Sequence, residues 1–436
     1  MKIAVIGSGA AGLGAAYALS AVADVQLFEK ERRLGGHANT ATVRHEGAEV
    51  AVDTGFIVYN ERNYPNLSAL FAHLDVPTKW SDMSFGFSLN GGVLEYACDD
   101  FDKIFAQRRN AFDPRFLWTM REVLRFCRMA PAELASGRAA GLSLGQWLAA
   151  RRFSAWFRER FILPMGGAIW STPLAAVTDF PAESFLRFFA NHDLYTGLDP
   201  AQRWRTVDGG SRAYVSRIAA ALGDRAHAGV GAAAVRREGG RVLVRLTDGS
   251  DALFDHVILA CHGPQAAALL HDMDAEEAAL LGAFRVSRNR AVLHRDPRLM
   301  PKRRKVWSSW NLLSRAGAGD QPVAVSYWMN RLQSLDPALP LFVTLNPHIE
   351  PDPALVFAEY DYAHPLYDAA AFAAQAGMDA VQGRGGVWHA GAWLGWGFHE
   401  DALRSGLRVA QALGARPDWA RETGAPLPSP FAIAAQ

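Results

Sequence analysis

Apolar and polar residues follow several different periods along this chain, beginning with a pattern typical of a buried strand, a turn and a helix. Residues 2–6, KIAVI, are almost continuously apolar, which favours a strand covered on both faces. The turn GSGAAG, the alanine-rich segment LGAAYALSAV and the strand-like segment DVQLFEK follow in that order. This succession predicts a βαβ unit at the start of the chain.

Helical spacing of apolar residues is prominent after about residue 75. It marks the segments FDKIFAQRRNAF, DPRFLWTMREVLRFCRMAPAEL, SLGQWLAARRFSAWFRERFILPM and PAESFLRFFANHDLY, with caps or breakers at Asp113, Pro114, Ser143 and Pro164. These helices combine many Phe and Trp residues with Arg. We expect the aromatic side chains to pack a core. The alternatives are a hydrophobic substrate tunnel, or a face that rests on lipid headgroups at the cytoplasmic side of a membrane.

Strand patterns return in the second half of the chain. REGGR and TDGS are typical hairpin turns of a β-meander, which ends in the apolar strand HVILA. Residues 290–380 consist mainly of strand-like segments, including NRAVLHRD, PVAVSYWMNRLQ and LVFAEYDYAHPLY. Near the end, GGVWHAGAW has the pattern of a strand that enters a glycine turn, and EDALRSGLRVAQALG predicts a last helix that stops at Gly414.

The composition narrows the class of protein. Half of the 436 residues are hydrophobic, which suits two or three globular domains, and a net charge of +1 gives no general attraction to nucleic acid. Cys98, Cys127 and Cys261 have neither the spacing of a metal site nor the even number of a disulfide framework. No apolar run reaches the roughly 18 residues that span a bilayer. We therefore expect a cytoplasmic protein that binds neither a metal ion nor nucleic acid.

The turn after the first strand carries the pattern G-x-G-x-x-G, and its βαβ context makes the pattern specific. Gly7 permits the tight turn, Gly9 lets the backbone approach a pyrophosphate, and Gly12 allows the helix to pack closely on the strand. The N–H groups at the start of the helix, including those of Ala10 and Ala11, are free to bind the phosphates. The pattern predicts a dinucleotide-binding site.

The acid that ends the second strand and the glycines after it extend this site. Glu29, followed by Lys30, is placed to accept hydrogen bonds from an adenosine ribose. The segment EKERRLGGHANT then places the doublet Gly35 and Gly36 shortly after the acid, with His37 directly behind it.

Together with VDTGFIVYN, which contains Asp53, Thr54 and Gly55, these motifs resemble those of the large flavoprotein family of amine oxidases, protoporphyrinogen oxidases and phytoene desaturases. The resemblance implies that the cofactor is FAD, bound without a covalent link, and that the doublet and the D-x-G segment contact it. His37 stands where the family usually has arginine, and imidazole is a weaker, pH-dependent cation. A covalent bond between His37 and the flavin is the alternative.

The resemblance also implies an α/β fold with a discontinuous, Rossmann-like FAD-binding domain and an α+β substrate domain, which has a mixed or antiparallel sheet and a helical insert. The expected boundaries are 1–75, 200–290 and 385–415 for the FAD domain, 76–199 for the helical region that faces the substrate or a membrane, 291–384 for the sheet, and 416–436 for a tail. Val230 is expected near the adenine, where the chain returns to the FAD domain.

The C-terminal segment WHAGAWLGWGFHEDALRSGL is expected to close the cofactor site. In the resembled family a strand end and the last helix approach the flavin, which implies contacts from Gly391, Ala392, Phe398, His399 and Ala402. The acid that the family has at the strand end is missing here. The nearest acids, Glu400 and Asp401, therefore either bind the cofactor or complement the helix dipole.

Three residues of this segment are candidates for the chemistry. Trp393 and Trp396 would form aromatic walls in front of the flavin. His399 is the candidate proton acceptor, with a water molecule as the alternative, because His399 falls at the start of the last helix and imidazole titrates near neutral pH.

Further segments, including RLGGHANT, PMGGAIWST and LHRDPRLMP, resemble a bacterial subgroup of these flavoproteins, some of whose members are associated with fatty-acid modification. This resemblance implies an FAD-dependent oxidoreductase that desaturates a hydrophobic or lipid substrate, an unsaturated or methylated fatty acyl chain, by hydride transfer to flavin N5. The alternatives are a flavin amine oxidase, with Lys305 as the lysine near the flavin, a carotenoid- or porphyrinogen-type desaturase, and a flavin-binding scaffold or redox sensor.

Overall fold

The computed structural model describes residues 1–191, 203–314, 323–421 and 423–427. Its strands in chain order are β1 (Lys2–Ile6), β2 (Asp24–Glu29), β3 (Thr40–His45), β4 (Ala48–Asp53), β5 (Tyr59–Asn60), β6 (Thr78–Trp80), β7 (Phe85–Leu89), β8 (Leu94–Ala97), β9 (Trp204–Val207), β10 (Ala226–Ala228), β11 (Ala232–Glu238), β12 (Arg241–Leu246), β13 (Asp251–Phe254), β14 (His256–Leu259), β15 (Arg285–His294), β16 (Trp310–Leu313), β17 (Ala324–Trp328), β18 (Phe342–Leu345), β19 (Val356–Leu366) and β20 (Val387–His389). Its α-helices are α1 (Ala10–Leu19), α2 (Pro65–His73), α3 (Phe101–Ile104), α4 (Pro114–Ala135), α5 (Leu144–Ala150), α6 (Ala155–Phe157), α7 (Leu163–Trp170), α8 (Leu174–Val177), α9 (Ala182–Asn191), α10 (Arg212–Leu222), α11 (Gly263–Leu269), α12 (Ala275–Gly282), α13 (Met329–Leu332), α14 (Ala369–Gly377) and α15 (His399–Ala412). Residues 192–195 of a predicted helix, together with 422 and 428–436 of the predicted tail, lie outside the described residues.

A five-stranded parallel sheet, in the order β10-β2-β1-β14-β20, joins stretches that are far apart in the sequence. The turn GSGAAG follows β1, Glu29 ends β2, and Gly391 comes shortly after β20. All three therefore lie at the carboxyl edge of the sheet, where ligands bind in open parallel sheets. The topology brings the two ends of the chain to one site.

Helices α1 and α15 pack against each other through glycines. A Cβ atom at Gly14 would lie 2.2 Å from Leu403 Cδ1, and one at Gly406 would lie 2.2 Å from the carbonyl oxygen of Ala11. Because neither contact leaves space for a side chain, the glycines permit the close approach of the two helices. Both helices begin at the carboxyl edge of the parallel sheet.

A seven-stranded mixed sheet, in the order β19-β15-β18-β17-β16-β7-β8, forms the second layer. Strand β7 pairs parallel to β16, and the other neighbours are antiparallel. Residues 76–199, expected to be helical, thus also contain strands, since β6, β7 and β8 lie within them. The segments FGFSL and LEYA are too short for their alternation to be distinguished from a fragment of amphipathic helix.

The remainder of this region forms a helical insert over the mixed sheet. Helix α4 starts as predicted, with Pro114 in its first turn and the Asp113 side chain accepting from the N–H of Arg115 at 2.9 Å. The aromatic residues of the insert form a core of their own, in which the ring of Phe126 packs on those of Phe157 and Phe189, at 5.9 Å and 5.7 Å between centroids. Core packing is therefore the role of Phe126 and the aromatic residues around it.

The predicted β-meander is formed by β11, β12 and β13. Its first turn contains Gly239 and Gly240, whose φ angles of 57° and 79° require glycine-like freedom at both positions of a two-residue hairpin. The architecture as a whole confirms the predicted α/β fold class. In the described residues, no helix is both long and apolar enough to cross a membrane.

Candidate active site

A cavity of about 610 Å³ lies between the carboxyl edge of the parallel sheet, the mixed sheet and the helical insert. This volume is within the range of roughly 300–1,000 Å³ that ligand sites occupy. Most of the sequence-predicted site residues line the cavity, namely Gly7, Gly9, Ala10, Ala11, Glu29, Lys30, Gly36, His37, Gly55, Gly391, Ala392, Trp393, Trp396, Phe398, His399 and Ala402.

The three glycines of the first turn have different surroundings. A Cβ atom at Gly9 would meet nothing within 4 Å, whereas one at Gly12 would lie 1.9 Å from the carbonyl oxygen of Gly7. Gly36 lies directly over Gly9, since its Cβ would be 3.1 Å from Gly9 Cα. Gly9 therefore borders open space at the start of α1, with no side chain capping that helix. Gly12 serves the packing of strand and helix.

Glu29 is held at the cavity edge by its neighbours. One carboxylate oxygen accepts from the N–H and the hydroxyl of Ser8, at 2.9 Å and 2.7 Å, and the other accepts from the N–H of Glu31 at 2.9 Å. Carboxylate oxygens can accept further hydrogen bonds, so the side chain is oriented without being saturated. Ser8, which was not predicted as a site residue, positions the acid.

Three histidines meet beside the doublet. The ring of His37 lies 6.0 Å from that of His262 and 5.4 Å from that of His364, between centroids. Burial, with the neighbouring histidines, lowers the pKa of His37 well below its usual value, and burial lowers the pKa of His364 to about 4. The imidazoles are therefore neutral at pH 7. The Nε2 atom of His37 is buried and has no hydrogen-bond partner among the described residues.

Two of the predicted contacts, Asp53 and Thr54, lie outside the cavity wall. Asp53 is buried and accepts from the N–H and hydroxyl of Ser211 and from the hydroxyl of Thr40, while its own N–H donates to Gln333. Thr54 is hydrogen-bonded to Tyr362 at 2.7 Å. These side chains join the dinucleotide-binding half to the mixed sheet.

Gly12, Gly35 and Val230 are also absent from the cavity wall. The backbone of Val230 forms a bridge with Glu29, and the next two residues, Gly231 and Ala232, line the cavity in its place.

The C-terminal segment forms one wall, and Asp401 determines its shape. Its carboxylate accepts from the N–H groups of Trp396 and Phe398, at 3.0 Å and 3.1 Å, and from Arg404 at 3.0 Å. A Cβ atom at Gly395 would lie 2.5 Å from the same carboxylate. Asp401 therefore holds the turn that carries two cavity residues, and it is not itself in the wall.

The tryptophans of this wall differ in position. The indole N–H of Trp393 donates to the carbonyl oxygen of Cys261 at 2.9 Å, and its ring packs edge-on against Phe284, so that only 2% of the residue is exposed. Trp396 is half-buried beside Phe372. Trp393 is thus largely a core residue, and Trp396 is the more accessible aromatic group.

His399 is stacked on Phe56, with 3.9 Å between ring centroids. Burial lowers its pKa to about 3, and its Nε2 atom has no partner among the described residues. A group with this pKa is neutral at pH 7 and accepts a proton poorly. The imidazole therefore lacks the near-neutral pKa that the predicted role as proton acceptor requires.

The end of the cavity away from the GSGAAG turn is apolar. It is formed by residues of two helices of the insert, three strands of the mixed sheet and the loops beside them: Ile57, Met83, Phe85, Ile169, Trp170, Phe188, Trp310, Tyr327 and Tyr367. The only charged side chains among the described residues that line the cavity are Glu29 and Lys30, both beside the turn. The sequence did not predict these apolar residues as site residues, because each one, taken alone, resembles a residue of the hydrophobic core.

The sequence of the chain matches the family model of flavin-containing amine oxidoreductases over residues 10–287, more than half of its length. The chain belongs to the flavin-containing amine oxidoreductase family. It is therefore an FAD-dependent oxidoreductase. No curated protein matches the sequence significantly.

Several solved structures share the fold at low sequence identity. Wild-type putrescine oxidase bound to putrescine has a TM-score of 0.71 and 16% identity, over 95% of this chain and 100% of that one. A CLA-producing fatty acid isomerase from P. acnes has a TM-score of 0.67 and 17% identity, over 94% and 97%. Cyclohexylamine oxidase from Brevibacterium oxydans has a TM-score of 0.67 and 16% identity, over 94% and 98%.

The geometry of the site fits FAD. The uncapped start of α1 and the open space at Gly9 suit a pyrophosphate, because backbone N–H groups and a helix dipole attract anions. The start of α15 reaches the same cavity through Phe398 and His399, and its positive end can stabilise negative charge on a flavin ring. The buried, unpartnered Nε2 of His37 is a further polar atom for the cofactor to contact.

Proposed function

We propose that this flavoenzyme desaturates a hydrophobic chain, namely an unsaturated or methylated fatty acyl group. The observation that carries the proposal is the composition of the apolar end of the cavity, which has aromatic and aliphatic walls and no charged side chain. An alkyl chain can fill such a space without leaving buried charge unpaired. FAD supplies the acceptor for a hydride, and the protein positions the chain.

The polar groups at this end are hydrogen-bond donors rather than carboxylates. Trp170 and Trp310 line the cavity, and their buried indole N–H groups have no partner among the described residues. The hydroxyl of Tyr327 is at the same end, and burial raises its pKa, so it stays protonated. Donors of this kind suit the carbonyl oxygen of an acyl group.

The apolar end of the cavity fits an amine substrate less well than an acyl chain. A protonated amine is a buried charge that requires an opposite charge, and the described wall of the apolar end contains no carboxylate. Lys305, the expected counterpart of an amine-oxidase lysine, forms an ion pair with Asp102 away from the cavity. The likeness to putrescine oxidase and the likeness to a fatty acid isomerase both reflect the fold, and neither favours one substrate over the other.

Desaturation also requires a proton acceptor. His399 is neutral and its pKa of about 3 makes it a weak base, so in this proposal a water molecule in the cavity passes the proton on to bulk solvent. The neutral imidazoles of His37 and His364 are available to orient such a water, because neutral imidazole has one donor and one acceptor nitrogen.

The test is reduction of the bound flavin under anaerobic conditions. We expect unsaturated or methylated fatty acids, free or in phospholipid, to bleach the flavin and to gain one double bond by mass spectrometry. Putrescine and cyclohexylamine are expected to leave the flavin oxidised. Reduction by the amines, with no reduction by any lipid, would overturn the proposal in favour of an amine oxidase.

A variant of the apolar end tests the location of the substrate. Ile169→Trp is expected to lower kcat/KM for a long acyl chain by about 10- to 100-fold, because overpacking an apolar site costs roughly 1–3 kcal/mol. Ile349→Trp is the matched control, since Ile349 is 45% exposed and outside the cavity wall. Equal effects of the two variants would contradict the assignment.

A further inference from the structure

Exposed hydrophobic side chains are concentrated in one short part of the chain. Of the eleven large hydrophobic residues that are exposed in the described structure, five fall within residues 101–124. They are Phe101, Phe112, Leu117, Trp118 and Leu124, and the first two are 81% and 86% exposed. Scattered exposed apolar residues are ordinary, but a cluster marks an interaction surface.

Helix α4 carries three of these residues on its outward face, together with arginines. Arg121, Arg125 and Arg128 are exposed on the same face, as helical spacing requires. The two acids of α4, Glu122 and Glu133, are both buried; one is hydrogen-bonded to Ser154 and the other is paired with Arg138 and Arg151. The outward face of α4 is therefore positive and apolar, without a negative charge.

The arginines of this face differ from most arginines of the protein. Arg121, Arg125 and Arg128 form no ion pair with any described acid. Arg121 instead lies over the ring of Trp118 at 4.8 Å, and Arg125 lies over Phe153 at 4.5 Å. By contrast, exposed arginines of the β-meander are paired, as Arg245 is with Asp251 at 2.9 Å. We call Phe112, Leu117, Trp118, Arg121, Leu124, Arg125 and Arg128 the α4 face.

We propose that the α4 face docks on the surface of an anionic phospholipid bilayer. The arginines are complementary to anionic headgroups, and Phe112, Trp118 and the leucines can enter the boundary between headgroups and acyl chains. Arginine suits this position because its guanidinium binds phosphate in a bidentate manner while its stem covers apolar surface. The surface proposal does not depend on which substrate the enzyme oxidises.

Helix α4 lies close to the apolar end of the cavity. Its buried face packs through Phe126 on Phe189 of α9, and the adjacent residue Phe188 lines the cavity. The α4 face is thus on the same insert as the apolar end of the cavity. Docking there would place the insert next to acyl chains in a bilayer.

The test is sedimentation of the purified, FAD-loaded protein with vesicles. Wild-type protein is expected to bind vesicles of phosphatidylcholine and phosphatidylglycerol in equal parts, and to bind pure phosphatidylcholine far more weakly. The triple variant Arg121→Gln, Arg125→Gln, Arg128→Gln is expected to bind the mixed vesicles on the order of 100-fold more weakly. The matched control removes three exposed, paired arginines of the β-meander, by Arg236→Gln, Arg241→Gln and Arg245→Gln, and is expected to bind like wild type.

A second variant tests the apolar contribution. Phe112→Ser with Trp118→Ser is expected to remove the part of the binding that persists at high salt, because salt screens the arginines but not the inserted side chains. Flavin content and melting temperature, unchanged in each variant, show that the fold is intact. The proposal fails if wild type does not bind anionic vesicles, or if the charge variant and its control bind equally. It also fails if light scattering without lipid shows a wild-type dimer that the Phe112 and Trp118 variant dissociates, since the face would then be an interface between two copies.

Discussion

The carboxylate of Glu400 on α15 binds the amide of Asn66, which lies 334 positions earlier in the chain. One oxygen accepts from Asn66 Nδ2 at 2.8 Å and from its backbone N–H at 3.1 Å, and the other accepts from the N–H of Leu67 at 3.0 Å. Asn66 and Leu67 are in the first turn of α2, whose N–H groups have no partner within the helix. Glu400 therefore caps a different helix and joins α2 to α15.

This capping role predicts a loss of stability in Glu400→Gln. The amide retains one acceptor oxygen but turns a donor toward the N–H groups of α2, which should cost about 1–3 kcal/mol. Urea unfolding in excess FAD measures the effect, with the exposed Glu238→Gln as control. We expect the affinity for FAD to stay the same, and a loss of FAD affinity without a loss of stability would contradict the assignment.

Asp401→Asn should behave differently from Glu400→Gln. Its carboxylate holds the N–H groups of Trp396 and Phe398, both of which line the cavity. We expect the neutral side chain to loosen this turn and to weaken FAD binding as well as stability. Titration of the apoprotein with FAD distinguishes the two variants, and equal FAD affinities would show that the turn is maintained without Asp401.

Substitutions of Gly9 and Gly12 in the first turn should have different effects, one on FAD affinity and the other on the stability of the apoprotein. Gly9→Ala adds a methyl group to open space at a φ of −65°, so the apoprotein should fold normally while FAD affinity falls by about 10- to 100-fold. Gly12→Ala places its Cβ against the carbonyl oxygen of Gly7, so the apoprotein itself should be unstable.

Thermal unfolding of the apoproteins and FAD titration separate these outcomes. Gly282→Ala is the control, because its site is open, exposed and without positive φ. An unstable Gly9→Ala apoprotein would show that the space at Gly9 is needed by the fold rather than by a ligand.

Asp53 should make the unfolding free energy depend on pH. Burial raises the pKa of its carboxyl from 3.8 to about 6. As pH rises from 4, the unfolded chain releases this proton before the folded one does, so stability falls until both forms are ionised above about pH 6. The contribution is about 3 kcal/mol, since one pKa unit corresponds to about 1.4 kcal/mol.

The difference between wild type and Asp53→Asn isolates this effect. Urea unfolding at several pH values should give a difference in unfolding free energy that changes between pH 4 and pH 7, because only the wild type loses the contribution. Parallel curves would mean that Asp53 has the same pKa in the folded and unfolded protein.

His399→Asn should leave the shape of the pH–rate profile unchanged. Because the pKa of His399 is about 3, its imidazole stays neutral from pH 5 to 9 and contributes no inflection there. We expect kcat to fall by less than about 10-fold, whereas removal of a general base costs about 10²- to 10⁴-fold. His271→Asn, on the surface, is the control. A larger loss together with a lost inflection would identify His399 as the base.

The family, the cofactor and the first turn could be predicted because their requirements lie in adjacent residues. A tight turn, a close backbone approach and a free helix start demand Gly7, Gly9 and Gly12 at fixed spacing, whatever the remainder of the chain does. The same holds for the caps of α4 and for the glycine hairpin of the meander. Strands β7 and β8 were missed because short segments carry too little periodicity.

The surroundings of single side chains were decided by long-range packing. Asp53 and His399 have residue types that suit a cofactor site, yet one lies outside the cavity wall and the other has a pKa too low for a base. The approach of His262 and His364 to His37 depends on β14 and β19 reaching the same edge of the fold.

The sequence by itself determined the βαβ unit, the dinucleotide site and the resemblance that led to FAD. Only the tertiary structure decided which side chains face the cavity, which carboxylates are structural and where charge is absent. The physical reason is that backbone conformation depends on neighbours in sequence, whereas desolvation and hydrogen-bond partners depend on neighbours in space. Glu400 illustrates the difference, because its position suggested a helix start or a cofactor contact, and its partners belong to α2.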